Sequence, residues 1–357
     1  MATLSGSRIF TVGGTAYVWE DVVLAAHLWG DWTALEQRVR DGLACLARLD
    51  EDDEDGLDEA DVDAAGTEFR YARDLVAAAD LEAWLDGRGL TVDAWLDFIR
   101  RTLLVSRWAN DLDEIRETYE IDDDEVAEAI LCEAICSGLA GRLAERLAAR
   151  AAIHARMLDE GEALSDGLDA DTLAMMTARA GDDALDRALP ELPREVRRER
   201  LERLLRLEAA WRRFSDRVAP PQALRGVIAA RRLDWVRVGV QAVVAPDNEL
   251  AREIVLCVRE DHRSIEEVAA EAGLSAETAE WWLEDVEPVV RDALLGVLPG
   301  DVVGPVSAKQ GHLVLRVADK RLPSDDDEAV RARAEQALLA RTVEHEMANR
   351  VIWHQTL

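Results

Sequence analysis

Residues 294–323 read LLGVLPGDVVGPVSAKQGHLVLRVADKRLP. The stretch starts as the end of an apolar helix and turns at Pro299-Gly300. It then gives a Val-rich run, a turn containing Gly311, and a second run, LVLRV. Pro-Gly favours a turn, and β-branched residues fit a pleated sheet. Two neighbouring strands are therefore expected here, in a chain whose other segments mostly show helical spacing. Upstream, LDWVRVGVQAVVA (233–245) reads as another strand, and NELAREIVLCVREDHRSIEEVAAEAGLS (248–275) is helix-like. The fold class that follows is α+β. A largely helical region, 1–233, carries a short hairpin at 8–18. A β-α-β-β unit spans 234–323, and a helix at 324–357 is expected to pack back on the helical region.

The helical region supports that division. In RIFTVGGTAYVWEDVVLAAHLWGDW (8–32), two β-prone runs flank Gly13-Gly14, a hairpin turn signal. Trp19, Val22, Val23, Ala26 and Leu28 then form the stripe of a helix ending near Gly30. Between Thr67 and Arg156 apolar residues recur at three and four spacing; Gly87 and Gly89 interrupt them, and Thr91 suits an N-cap. REVRRERLERLLRLEAAWRRF (194–214) reads as a surface helix laced with Glu–Arg pairs, or alternatively as a groove wall for an acidic peptide. The final DDDEAVRARAEQALLARTVEHEMANRVIWH (325–354) reads as one long helix with an acidic start.

The 357 residues carry 73 acidic and 42 basic side chains, a formal charge of −31. That field repels phosphate backbones, so no nucleic-acid partner is expected. No apolar run approaches the roughly 18 residues of a membrane span, so no membrane partner is expected either. The start, MATLSGSRIFTVGG, lacks a basic patch followed by an apolar run, and the expected location is the cytoplasm. The four cysteines form no CxxC pair and give no disulfide framework.

Several motifs suggest chemistry. Within DEDDEDGLDEADVD (50–63), Asp53, Asp55 and Gly56 fit a calcium loop, but Glu51, Asp58 and Val62 occupy positions that the loop needs otherwise. A solvated loop is expected. SIEEVAAEAGLSAETAEWWL (264–283) has helix-turn-helix spacing, yet Glu277, Glu280, Glu284 and Asp285 stand where a DNA reader needs basic or amide groups. Cys132 and Cys136 share one helical face. They are either small core residues or half a metal site that His27, His154 or Cys45 would have to complete. No nucleophile or phosphate-binding motif occurs, the six histidines are scattered, and no cofactor is expected.

Three segments together resemble a parvulin-type peptidyl-prolyl isomerase domain. VRVGVQAVVA resembles its first strand, and ELAREIVLCVREDHRSIEEVAAEAG its helical segment. EPVVRDALLGVLPGDVVGPVSAKQGHLVLRVADKRLP resembles its closing helix and strands. The family's first and last strands each carry a histidine of the active-site floor. Gln241 is the matching residue assigned on the first strand, and Leu313 on the last. His312 would face the opposite side from Leu313 unless a bulge intervenes.

The wider arrangement, with FTVGGTAYVWEDVV at its start, resembles SurA-like chaperones. Closer still are cytoplasmic parvulin-related proteins of the peptide-maturation system group, associated with ribosomally made, modified peptides. TEFRYARDLVAAADLEAWLDGRGLTVDAWL and EAICSGLAGRLAERLA are similar to their helical region.

The resemblance implies a peptide-binding accessory or chaperone without catalysis. Gln241, Trp281, Trp282, His312 and Leu313 are its candidate contacts. The expected partners are a precursor or client peptide and a peptide-modifying enzyme. The alternatives are an active prolyl isomerase and a metal-dependent modifying enzyme using Cys132 and Cys136.

Overall fold

A computed structural model of the chain describes residues 4–51, 57–162, 182–261, 263–309 and 311–357. It is α+β and divides into two compact units, Met1–Phe214 with Thr342–Leu357, and Ser215–Arg341. Asp53, Asp55, Gly56 and His262 lie outside the described residues.

The first unit opens with the hairpin β1 (Arg8–Val12) and β2 (Thr15–Val18). Gly13 and Gly14 turn it at φ 56° and 82°, angles that a side chain would oppose. Helix α1 (Trp19–Trp29) follows and stops at Gly30, φ 84°. Its stripe is wider than the spacing alone suggested, because Trp19 through Leu28 are all buried. Seven further helices are α2 (Asp31–Glu51), α3 (Glu59–Tyr71), α4 (Ala78–Asp86), α5 (Val92–Arg107), α6 (Leu112–Thr118), α7 (Asp123–Cys136) and α8 (Leu139–Asp159). Local chemistry starts several of them. Asp58 caps α3 by accepting from the Ala60 N–H at 2.9 Å, and Thr91 caps α5 by accepting from Ala94 N–H at 3.1 Å. Asp122 and Glu125 form a capping box on α7.

After α9 (Asp182–Ala188), α10 (Arg194–Val218) buries one face along its length. Leu201, Leu204, Leu205, Leu207, Ala210 and Phe214 are buried in it. Part of its polar face is committed as well, while Arg198, Glu199, Arg206, Arg212 and Arg213 stay exposed. Arg200 and Arg203 donate to Asp21, which is fully buried, at 3.2 and 2.6 Å. Glu208 pairs with Arg150 and accepts the Trp29 indole N–H at 2.8 Å.

The second unit contains α11 (Pro221–Ala230) and the sequence β3 (Arg237–Ala245), α12 (Asn248–Glu260), α13 (Ile265–Glu271), β4 (Ala276–Trp282), α14 (Pro288–Leu295), β5 (Val302–Ala308), β6 (Gly311–Arg321). The sheet is antiparallel, in the order β4-β3-β6-β5. The β-rich character read from residues 294–323 holds, but the sheet has a fourth strand that the β-α-β-β reading lacks. That strand, AETAEWW, lies where helix-turn-helix spacing would put a second helix. Its apolar residues fit helical spacing, but pairing with β3 along seven residues satisfies its backbone as a strand.

Helix α15 (Glu328–Arg350) stops short of its expected end. VIWH does not continue the helix: β7 (Val351–Trp353) pairs with β1, Phe10 opposite Trp353 and Val12 opposite Val351. The open edge of β1 takes a β-branched tail whose rings then meet, Trp353 lying 5.4 Å from Phe10. Met347, Val351 and Leu357 pack against the core of the first unit. No helix among the described residues is long and apolar enough to cross a membrane.

Candidate functional site

The sheet of the second unit is covered on both faces, and strand alternation assigns each residue to one of them. Val238, Val240 and Ala242 of β3 join Leu313, Leu315 and Val317 of β6 in a cluster beneath Val290 and Leu294 of α14. Val243 and Ala245 join Val314 in a second cluster, beneath Ile254 and Val258 of α12 and Val268 of α13.

Gln241 falls on the α12/α13 face, in step with Val243. Its side-chain amide is already engaged: the N–H group donates to Glu266 of α13, and the oxygen accepts from Arg316 at 3.3 Å. His312 shares that face, opposite Ala245, half-buried and 3.4 Å from the Ser307 hydroxyl. Four strand residues separate the positions of Gln241 and His312, about 13 Å at ~3.3 Å per residue. Val243 and Val314 fill the interval.

Leu313 lies on the other face, 9% exposed. Its direct partner on β3 is Val244, and the next pair on that face is Ala242 with Leu315. The pairing of β6 with β3 runs without a shift from His312 to Val317, so His312 and Leu313 do point in opposite directions. The structure therefore does not bring Gln241 to Leu313. The β3 residues on the Leu313 face are Ala242 and Val244. Gln241 neighbours Ala242 in the chain, and a one-residue offset moves a side chain to the other face.

The two tryptophans also part. Trp281 packs, half-buried, on the α14 face. Trp282 packs against Ile228, Trp235, Val330 and Ala334, and the guanidinium groups of Arg237 and Arg333 lie 5.2 and 4.8 Å from its ring. Arg333 reaches Asp285 at 2.5 Å and Glu284 at 2.8 Å, and the hydrogen bond to Asp285 leads in raising its pKa above the ordinary value. Trp282 is half-buried there.

What remains on the α14 face is an apolar floor made by Ala242, Val244, Val306 and Leu313. Val244 is 38% exposed, while α14 and the loop after it leave Val289, Leu295 and Leu298 in solvent. Glu277 of β4 stands opposite Ala242 as an exposed carboxylate. Alternation outward from Leu313 would have found Val306 and Val244, had the register been known. The irregularities beside Gly239 and between Val303 and Val306 hide that register in the sequence.

Cys132 and Cys136 do share a face, with sulfurs 3.7 Å apart, and both are buried in the core of the first unit. The hydrogen bond between them, and then burial, pushes the Cys136 thiol up, while the same bond lowers that of Cys132. Cys132 lies against the Ala94 carbonyl at 3.2 Å. Among the described residues no group of three or more His, Cys, Asp or Glu side chains gathers to hold a metal ion.

No protein-family profile matches the chain, and no curated protein matches it. Solved structures similar to it are peptidyl-prolyl isomerases and SurA-like chaperones. The peptidylprolyl isomerase PrsA of Bacillus anthracis matches with TM-score 0.32 and 13% identity, over 56% of this chain and 94% of that one. PrsA of Bacillus cereus matches with TM-score 0.31 and 13% identity, over 62% and 85%. A structure from the description of PEB4 and Cj1289, SurA-like chaperones of Campylobacter jejuni, matches with TM-score 0.22 and 13% identity, over 55% and 88%.

Proposed function

We propose that this protein is a cytoplasmic, non-catalytic chaperone that holds a precursor peptide while a partner enzyme converts it to a ribosomally made, modified peptide. One observation carries the reading. Where the parvulin resemblance calls for a floor with two imidazoles, the floor that includes Leu313 pairs it with Ala242 and Val244. Such a floor binds apolar side chains by burial. It offers no group whose hydrogen bond strengthens as an X-Pro bond twists. The barrier to that rotation is about 18–20 kcal/mol, and binding planar and twisted forms equally leaves it in place. The field of a chain with charge −31 favours clients with basic segments beside the apolar ones.

Calorimetry against peptides encoded beside this gene tests the proposal. Binding of one such peptide is expected, with no acceleration of a proline-limited refolding reaction. No binding at high micromolar peptide would overturn the chaperone reading. Accelerated refolding would make the protein an isomerase.

A further inference from the structure

The sheet of the second unit has two edges, and they are treated very differently. On β5, Pro305 has no N–H to offer, and Arg259 of α12 donates to the Val302 carbonyl at 2.8 Å. Such devices close an edge to further pairing. On β4 the seven residues Ala276–Trp282 include no proline, and no bulge interrupts their pairing with β3.

The direction of the free groups on β4 follows from one bond. Just past the strand, the Leu283 N–H donates to the Val236 carbonyl at 2.9 Å. Backbone groups alternate along a strand, so those of Glu277, Ala279 and Trp281 also point to β3. Those of Ala276, Thr278 and Glu280 point outward. Gly239 agrees with this phase, because its N–H turns away from β4 and donates to Asp319 at 3.1 Å. Among the described residues nothing bonds the outward N–H and C=O groups of Ala276, Thr278 and Glu280. An edge of this length, with its ladder groups free, is a template for another strand.

The side chains along the edge define the guest. Glu277, Ala279 and Trp281 share the α14 face. Glu277 is exposed, and no cation pairs with it among the described residues. Glu280, on the opposite face, is already held by Arg237 and Arg321. Trp281 is half-buried. An added strand therefore meets a carboxylate near one end of this face and an indole near the other. A second copy of β4 fits poorly, since it brings further glutamates to the edge of a chain with charge −31. A basic segment fits.

We infer that the outer edge of β4 takes an extended segment of a partner polypeptide as an added antiparallel strand, with a lysine or arginine opposite Glu277 and an apolar residue opposite Trp281. Main-chain hydrogen bonds hold the segment, and the two side chains select it. The antiparallel direction puts the apolar residue four positions before the basic one. The inference stands on this edge alone and holds whether or not the floor beside Leu313 binds a client.

The test is calorimetry on the full chain with the acetylated and amidated heptapeptide TFTVTKT, which sets its phenylalanine opposite Trp281 and its lysine opposite Glu277. Binding is expected at sub-millimolar concentration. N-methylation of the third and fifth peptide residues, whose N–H groups face β4, weakens it about tenfold or more. N-methylation of the fourth, whose N–H faces away, changes it less than about threefold. Glutamate in place of the peptide lysine weakens binding about threefold or more at low salt, and Glu277→Lys reverses that preference. Thr278→Pro removes an outward N–H at a place where an edge strand tolerates proline, and weakens binding about tenfold or more. Thermal melts confirm that both variants fold.

No binding at millimolar peptide, or undiminished binding to folded Thr278→Pro, overturns the inference. Equal binding of the peptide methylated at its third and fifth residues also overturns it, and leaves the floor reading intact, because burial of side chains does not use those N–H groups. A preference for lysine that survives Glu277→Lys overturns the assignment of a basic guest. A dimer in sedimentation that Thr278→Pro dissociates gives the edge to a second copy and overturns the assignment of a partner.

Discussion

Gln241 and Leu313 lie on opposite faces of one antiparallel sheet, Gln241 beneath α13 and Leu313 beneath α14. Substitutions on the two faces should therefore separate. Val244→Asp puts a charge on the apolar floor beside Leu313 and should weaken client binding by about tenfold or more. Gln241→Ala loses its bonds to Glu266 and Arg316 and should change affinity less than twofold. Calorimetry with one client peptide checks both, and the reverse pattern would move the binding surface to the α12/α13 face.

Gly311 is held at φ 134°, and a Cβ there would sit 2.9 Å from the Ala245 carbonyl oxygen. Backbone cannot yield as a flexible side chain does. Gly311→Ala should cost about 1–3 kcal/mol in the second unit. Chemical denaturation, read by a probe placed in that unit, measures it.

Arg150 and Glu208 form a buried ion pair, and Arg150 also lies over the rings of Trp29 and Trp211. Glu208→Ala leaves the guanidinium without its carboxylate and should destabilise by about 3–5 kcal/mol. The double variant Arg150→Met/Glu208→Leu should recover most of that, because no buried charge is left unpaired. Urea melts of the three proteins decide the matter, and a double variant no better than the single would count against the pairing.

His27 is 3% exposed and stacks on Trp32 at 5.3 Å. Burial first, then Arg187 and Arg197, lowers its pKa from 6.5 to about 4. The folded state thus holds it neutral where the unfolded chain takes up a proton. The stability it contributes is complete above pH 6.5 and is lost as pH falls from 6.5 towards 4, a change on the order of 3 kcal/mol. His27→Phe should lose less stability over that window than the wild type does. Parallel denaturant curves at pH 7.5, 5.5 and 4 give the comparison.

Cys45, Cys132 and Cys136 are buried, whereas Cys257 is half-exposed. A thiol reagent should modify Cys257 first in the native protein and reach the others only on unfolding. Metal analysis after zinc exposure should find no stoichiometric ion on Cys132 and Cys136. Protection of those two thiols by added zinc would reopen the metal reading.

The local features were legible in the sequence because neighbouring residues cause them. Gly13-Gly14 makes its turn, Gly30 ends α1, Thr91 starts α5, and Cys132 and Cys136 share a face by helical geometry alone. The run 294–323 likewise announced strands through its turns and its valines. Two strands escaped because their cause is distant. AETAEWW becomes β4 only against β3, and VIW becomes β7 only against β1, hundreds of residues earlier in the chain. The composition of the candidate floor escaped for a related reason. Which β3 residue joins Leu313 depends on strand register, and the irregularity beside Gly239 sets that register in three dimensions.

The sequence by itself determined the α+β class, local stops and turns such as Gly13-Gly14 and Gly30, and the acidic field, since these follow from residue type and short spacing. Tertiary structure alone decided which side chains meet. It turned Gln241 away from Leu313 and placed Ala242 and Val244 beside it. Such pairings join segments far apart in the chain, and no local propensity encodes them.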